Sequence, residues 1–377
     1  MTSPPQNFWE ALFTEPAEPR QAVLVEMRLL RRRGRPFLLL PRQPGSASAT
    51  MDLYPAQTGR ARVARALLRW LLRASLPLGT ETISMAIAPG DAFVKFLSSL
   101  TGALEPGAPI LGILAGNPAS DGQRFLVLAF DARQRPVAVV KAGLSPRARA
   151  LVEREDRFLA ALPEKTVAVP RLRAGFDSPR LRALALDFVS GDSPRPRDEA
   201  ALAPLLTAWV DTSRTIALSD TPDWMRLQEA APAGSLFSVV AGRLRGRKIH
   251  PAMQQGDFAP WNIKVSPAGA WTVLDWERGE LTGIPGWDWF HYVIQSGILV
   301  GHLPTSALVQ RVESVLSSDA FRQYATRGGI VGCERELVLA YLLHAVAVIK
   351  PSEGLAPTRE LLAALAARWQ KGSDALP

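Results

Sequence analysis

Apolar residues recur along this chain in two periods, and the change from one to the other divides it. Residues 110–115, 124–130 and 136–141 are short runs rich in Val, Leu and Ile, joined by small-residue or charged turns. That pattern predicts three antiparallel strands. A helix follows from Ser145-Pro146, with Pro at its first turn. Residues 167–172 and 180–188 read as a fourth and a fifth strand. From Asp198 onward apolar positions repeat at helical spacing, over 199–210, 235–244 and again after Gly286. The longest apolar run, 337–349, is interrupted by His344 and too short to span a bilayer, so it reads as a buried core helix.

Before these elements lie about 100 residues of another texture. Residues 21–27 and 36–40 suit paired strands, 41–50 a Pro/Gly/Ser loop, and 101–109 a linker. Residues 60–74 form an amphipathic helix. Arg62, Arg65, Arg69 and Arg73 share one face, and Val63, Leu67, Trp70 and Leu71 another. The apolar face is expected to pack on its own domain, burying Trp70 and Leu71. A bare face would instead mark contact with an acidic membrane or a partner. The whole reads as an α+β chain: an N-terminal extension (1–104), a sheet-bearing segment (105–190) and a mainly helical one (191–377).

Composition adds two constraints. Net charge is +9 over 377 residues, with a pI near 10.2, which favours anionic partners such as nucleotides or acidic surfaces. Cys333 is the only cysteine, so no intrachain disulfide forms, and the chain opens without a charged-then-apolar signal segment. Both fit a cytoplasmic protein.

The chemistry concentrates in Gln255-Gly256-Asp257-Phe258-Ala259-Pro260-Trp261-Asn262 and Val273-Leu274-Asp275-Trp276-Glu277. An Asp, four residues, an Asn, then an Asp ending an apolar strand is what phosphoryl transfer with Mg²⁺ requires. One carboxylate sits by the attacking hydroxyl, while an amide oxygen and a second carboxylate hold the metal. Residues 263–265 and 271–274 suit a hairpin that brings Asn262 and Asp275 to the same end.

This stretch resembles the catalytic loop of the aminoglycoside phosphotransferase and choline kinase family, which shares the protein-kinase-like two-lobed fold. The family reads His-Gly-Asp, four residues, Asn, then a strand and Asp-Trp-Glu; here Gln255 replaces the His. The resemblance implies ATP and Mg²⁺, with Asp257 as base and Asn262 and Asp275 as metal ligands. Gln255 and Asp288 would brace the loop. Lys141, ending the strand Ala138-Val139-Val140-Lys141, resembles the phosphate-holding kinase Lys. Glu155, on the core face of the next helix with Leu159 and Leu162, is the residue expected to pair with it. Phe188-Val189-Ser190 resembles the hinge between lobes, placing Phe188 and Ser190 by the nucleotide. Residues 116–123 would lie over the phosphates. His250 is not at the family's His position and reads as structural.

The implied activity is transfer of the γ-phosphoryl of ATP to a small-molecule hydroxyl, on a sugar or sugar-containing metabolite. Only residues 276–285 separate Asp275 from the next helix, too few for a protein kinase's peptide platform. Glu313, Asp319, Glu334 and Glu336 are offset by Arg311, Arg322, Arg327 and Arg335, a mixture that suits a neutral or anionic acceptor better than a cationic aminoglycoside. Nucleic acid is not an expected partner. Two other classes fit parts of the pattern: a catalytically silent nucleotide-binding module, and a membrane-surface or scaffold protein acting through its basic N-terminal segment.

Overall fold

The computed structural model describes residues 8–13, 23–32, 34–54, 56, 58–76, 80–88, 90–102, 109–116, 122–231, 235–350 and 354–373. The chain divides into two compact units, residues 1–164 with 169–191, and residues 165–168 with 192–377.

The first unit is built on one antiparallel sheet. Its strands are β1 (Val23–Arg32), β2 (Arg35–Pro41), β3 (Glu81–Ile87), β4 (Leu111–Ala115), β5 (Arg124–Phe130), β6 (Pro136–Gly143), β7 (Leu172–Asp177) and β8 (Arg182–Asp187). They run in the order β3-β1-β2-β4-β5-β6-β8-β7. The N-terminal strands therefore extend the sheet of the following segment. Leu38 and Leu39 of β2 pair with Leu114 and Ile113 of β4 across the expected boundary at residue 104. The reason is burial. An isolated pair of strands covers too little apolar surface to stand alone, whereas here Met27, Leu29 and Leu39 join Ile113, Val127 and Val140 in one core.

Among the described residues this unit carries four α-helices: α1 (Pro44–Thr50), α2 (Gly59–Arg73), α3 (Ala92–Thr101) and α4 (Pro146–Ala161). Asp91 caps α3 by accepting from the N–H groups of Phe93 and Val94, and Ser145 caps α4 by accepting from Ala148 N. Alternation along the strands separates two apolar clusters. One holds Val140, Phe93 and Leu97; the other holds Leu38, Leu40, Leu128, Phe130 and Leu72 of α2.

Three expectations need correction here. Residues 44–50 are helical rather than loop; Pro44 starts α1 at a position where its missing N–H costs nothing. The fourth strand runs over Leu172–Asp177, not 167–172. Ahead of it residues 165–168 belong to the second unit: Ala168 takes a left-handed conformation, φ 62°, and its carbonyl accepts from Val273 N of that same unit. Most informative is α2, which turns its polar side inward. Trp70 is 60 % exposed, Leu67 54 % and Val63 70 %, whereas Arg65 is 7 % exposed and Leu72 fully buried. The surface beneath the helix offers polar acceptors. Arg65 donates to Tyr54 O, Arg62 to Ala56 O, and Arg69 pairs with Asp52. Buried carbonyls need donors, and arginine stems bury apolar length while supplying them.

The second unit is mainly helical: α5 (Leu202–Ala208), α6 (Pro222–Ala230), α7 (Leu236–Leu244), α8 (Trp287–Gln295), α9 (Thr305–Ser317), α10 (Asp319–Gly328), α11 (Glu334–His344) and α12 (Leu355–Ser373). Single π turns, Ser296–Val300 and Ala345–Ile349, continue α8 and α11. Short strand pairs lie between α5 and α8. β9 (Ile216–Ala217) pairs with β10 (Lys248–Ile249), β11 (Ala252–Gln254) with β14 (Glu280–Gly283), and β12 (Ile263–Val265) with β13 (Trp271–Val273). The chain thus has the expected α+β class, with a sheet-bearing unit followed by a mainly helical one. No described helix is long and apolar enough to cross a membrane. The 116–123 loop expected over phosphates lies largely outside the described residues, as does the 101–109 linker.

Candidate active site

In the first unit Val139 packs toward one face of β6 and Val140 toward the other. Lys141, two residues beyond Val139, reaches α4. Its Nζ donates to both carboxylate oxygens of Glu155, at 2.6 and 2.7 Å. The pairing expected from the sequence is formed, and both side chains are buried, Glu155 completely. Removing one member of a buried ion pair costs about 3–5 kcal/mol, because the other charge stays desolvated. The pair therefore holds a cation at one fixed place. Phe188 and Ser190 follow the end of β8. Phe188 N donates to Val137 O at 3.3 Å and its ring packs on the Leu38–Phe130 cluster. Ser190 is exposed.

In the second unit the 255–262 loop is held from both sides. Phe258 and Trp276 are wholly buried and pack edge-on against Trp209, with ring centroids 5.7 and 5.2 Å away. These aromatics anchor the segment on either side of its polar residues. Gly256 makes the bend at φ +80°; a Cβ there would meet Arg278 O at 2.8 Å, so the position admits glycine alone. Asp288 receives the bend. Its Oδ2 accepts from Gln255 N at 2.6 Å and its Oδ1 from Gly256 N at 3.0 Å. Burial pushes the Asp288 carboxyl up to about 6, against the pull of those two N–H groups and of His291.

Gln255 ties three segments together. Its Nε2 donates to Leu274 O at 3.0 Å and Asp275 O at 2.7 Å, and its Oε1 accepts from Asp257 N at 2.8 Å. A non-titrating amide thus does the bracing at the position where the resemblance expects a His. The expected hairpin forms, with Ile263 opposite Val273 and Val265 opposite Trp271. Leu274 N donates to Asn262 O at 2.7 Å, which brings Asn262 and Asp275 to one end. Asp275 takes a left-handed backbone, φ 64° and ψ 59°, a conformation Asp tolerates better than most residues.

Asp257 is held at one carboxylate oxygen and approached at the other. Asn262 Nδ2 donates to Oδ2 at 2.9 Å and to the Asp257 carbonyl at 2.8 Å. His291 Nε2 lies 3.1 Å from Oδ1, off the straight line of a hydrogen bond. The Asp257 side chain nevertheless stays 32 % exposed. It is a fixed carboxylate that a ligand can reach.

Sequence reasoning missed His291 and the residues behind it. Tyr341 OH lies 3.1 Å from His291 Nδ1, and Gln295 hydrogen-bonds Tyr341 and so lowers its phenol. Burial outweighs that and pushes the phenol far up. The hydroxyl therefore keeps its proton and is placed to donate to His291 Nδ1. One signal was available: His291 stands three residues after Asp288 on the same predicted helix, hence on the same face. His250, by contrast, makes a structural contact, its Nδ1 2.7 Å from Arg214 O.

The donor set can be tested against the expected Mg²⁺. Asn262 uses its amide N–H₂ within the loop, which leaves its amide oxygen as an acceptor beside the Asp275 segment. Among the described residues no group of three or more His, Cys, Asp or Glu could hold a metal. A site of one carboxylate and one amide oxygen, completed by phosphate and water, suits Mg²⁺ and not an ion that needs an all-protein cage.

No family model matches this chain, and no curated protein matches it. Among solved structures it is similar to an ethanolamine kinase from Plasmodium vivax, with 12 % identity, TM-score 0.46, 86 % of this chain and 94 % of that one covered. It is also similar to a thermostable mutant of aminoglycoside phosphotransferase APH(4)-Ia in ternary complex with ADP and hygromycin B, with 13 % identity, TM-score 0.45, and 72 % and 97 % covered. A third is the aminoglycoside phosphotransferase APH(3'')-Id from Streptomyces rimosus, with 15 % identity, TM-score 0.41, and 71 % and 97 % covered. By name, these three are an ethanolamine kinase and two aminoglycoside phosphotransferases.

Proposed function

We propose that this protein is a small-molecule kinase of the aminoglycoside phosphotransferase and choline kinase type, transferring the γ-phosphoryl of ATP to a hydroxyl. The observation that carries the reading is Asp257: a carboxylate held on one oxygen by Asn262 and approached on the other by His291, yet still accessible. A general base needs that combination of fixed geometry and access. Asp257 accepts the hydroxyl proton as the acceptor oxygen attacks the γ-phosphorus; the bond to the β-phosphate oxygen breaks and ADP leaves. Asn262 and Asp275 would hold Mg²⁺, which when bound supplies charge neutralisation at the phosphate oxygens. Lys141, kept in place by Glu155, neutralises phosphate charge, and Phe188 and Ser190 lie along the nucleotide.

The acceptor is a small hydroxylated molecule, in our reading a sugar or a sugar-containing metabolite. Between Asp275 and α8 the chain has only one 3₁₀ turn, Trp276–Arg278, and β14, which leaves no platform for a peptide. Three of the four named carboxylates of the C-terminal helices are paired, Glu313 with Arg368, Asp319 with Arg322 and Glu336 with Arg243. That neutralisation disfavours a polycationic acceptor. An ATP-consumption screen across hydroxylated metabolites, with kanamycin-like compounds under the same condition, tests the assignment. Activity on the cations with none on neutral sugars would overturn the acceptor class.

A further inference from the structure

Phosphoryl transfer leaves the outward face of α2 unused. Val63, Leu67 and Trp70 stand at helical positions i, i+4 and i+7 and are 70 %, 54 % and 60 % exposed. Single exposed apolar residues are ordinary on a protein surface; three large ones in one file are not. Arg60 and Arg73, at the two ends of the helix, are exposed, and neither makes an ion pair among the described residues. The other arginines of the helix point inward to Tyr54 O, Ala56 O and Asp52, so the orientation of the helix is fixed by the groups beneath it.

Charge identifies the occupant. Residues 20–76 contain twelve arginines and no lysine against two acids, Glu26 and Asp52. That segment carries +10, whereas the whole chain carries +9, so everything outside it sums to −1. The protein's net positive charge therefore lies in the segment that presents the apolar stripe. A second copy of this chain docking through the same face would meet it with like charge. A convex helix face fits no particular pocket, but a bilayer needs no complementary shape. Trp suits the headgroup level, where its ring is half apolar and half hydrogen-bonding. We propose that the outer face of α2 docks the protein on an anionic lipid surface, with Val63, Leu67 and Trp70 entering the interface and Arg60 and Arg73 meeting headgroup charge.

The test uses the full chain and does not depend on phosphoryl transfer. Co-sedimentation is measured with vesicles of phosphatidylglycerol and phosphatidylcholine in equal parts, and with phosphatidylcholine alone, at low and high salt. The expected result is binding to the anionic vesicles only, weakened by salt. Leu67→Gln/Trp70→Gln should weaken that binding by about tenfold or more, and Arg60→Gln/Arg73→Gln should weaken it and flatten its salt dependence. Both variants alter exposed side chains, so their thermal midpoints should match the native protein and certify folding. No sedimentation with anionic vesicles would overturn the proposal. So would vesicle binding unchanged by Leu67→Gln/Trp70→Gln, or a dimer in lipid-free solution that the same variant dissociates. Equal retention on soluble polyglutamate, indifferent to the apolar substitutions, would assign the surface to an acidic polypeptide instead.

Discussion

The helical unit contains the same pairing twice. His291 of α8 approaches Asp257 at 3.1 Å, and His344 of α11 approaches Asp223 of α6 at 3.2 Å. Their surroundings differ. Asp223 also accepts from Arg226 at 2.8 Å and from Gln254 Nε2 at 2.7 Å, Arg226 goes on to Glu280, and the Asp223 side chain is 8 % exposed. Asp257 has two side-chain neighbours and remains 32 % exposed. A saturated, sealed carboxylate can hold elements together but has no lone pair to offer a substrate. An anchored carboxylate left open can do chemistry. Gln254 and Gln255 are adjacent, so the sealed cluster supports the loop that carries the open one.

Substitution should separate the two. Asp257→Asn is expected to lower kcat by about 10²–10⁴-fold, the usual contribution of a general base, with Mg-ATP affinity and thermal midpoint nearly unchanged. Titration calorimetry beside steady-state kinetics checks this; near-native turnover would remove Asp257 from the base role. Asp223→Asn should do the reverse. Breaking a buried charge network costs about 3 kcal/mol, seen in denaturant unfolding, while the kcat of the folded fraction changes little. A large loss of kcat with unchanged stability would erase the distinction between the clusters.

Acid sharpens the same contrast. Burial pushes the Asp223 carboxyl up, but the contact with His344 and then Arg226 outweigh it and hold it at about 2, below the ordinary 3.8. A depressed carboxyl stabilises the fold above the unfolded value and loses that contribution as pH falls through the folded one. About 2 kcal/mol of stability should therefore disappear between about pH 4 and about pH 2. The step should be absent in Asp223→Asn; an identical acid profile in the variant would contradict the account. The smallest effect is expected at His291. His291→Ala should lower kcat by about tenfold with KM little changed, since it positions Asp257 and touches no substrate. His291→Gln, which keeps a donor, should recover part of the loss. Equal damage in both would mean that His291 acts by packing alone.

The sequence made the local parts of this structure readable. The 263–274 hairpin and the Lys141–Glu155 pair both follow from side chains within one or two neighbouring elements. Contacts between distant elements were less legible. No motif announces that β2 joins β4, or that Tyr341 reaches His291 across 50 residues. The rotation of α2 was hidden for a related reason. Its apolar stripe gave the period correctly, but which side turns inward was decided by the carbonyls of Tyr54 and Ala56 and by Asp52, which hydrophobic patterning does not register.

The most direct test of phosphoryl transfer follows the label of [γ-³²P]ATP, with Mg²⁺ present, through a panel of hydroxylated small molecules. In native protein the label should move onto a neutral hydroxylated acceptor, and Asp257→Asn should leave it on ATP. Native protein that binds Mg-ATP yet passes label to no acceptor, or to water alone, would contradict the account.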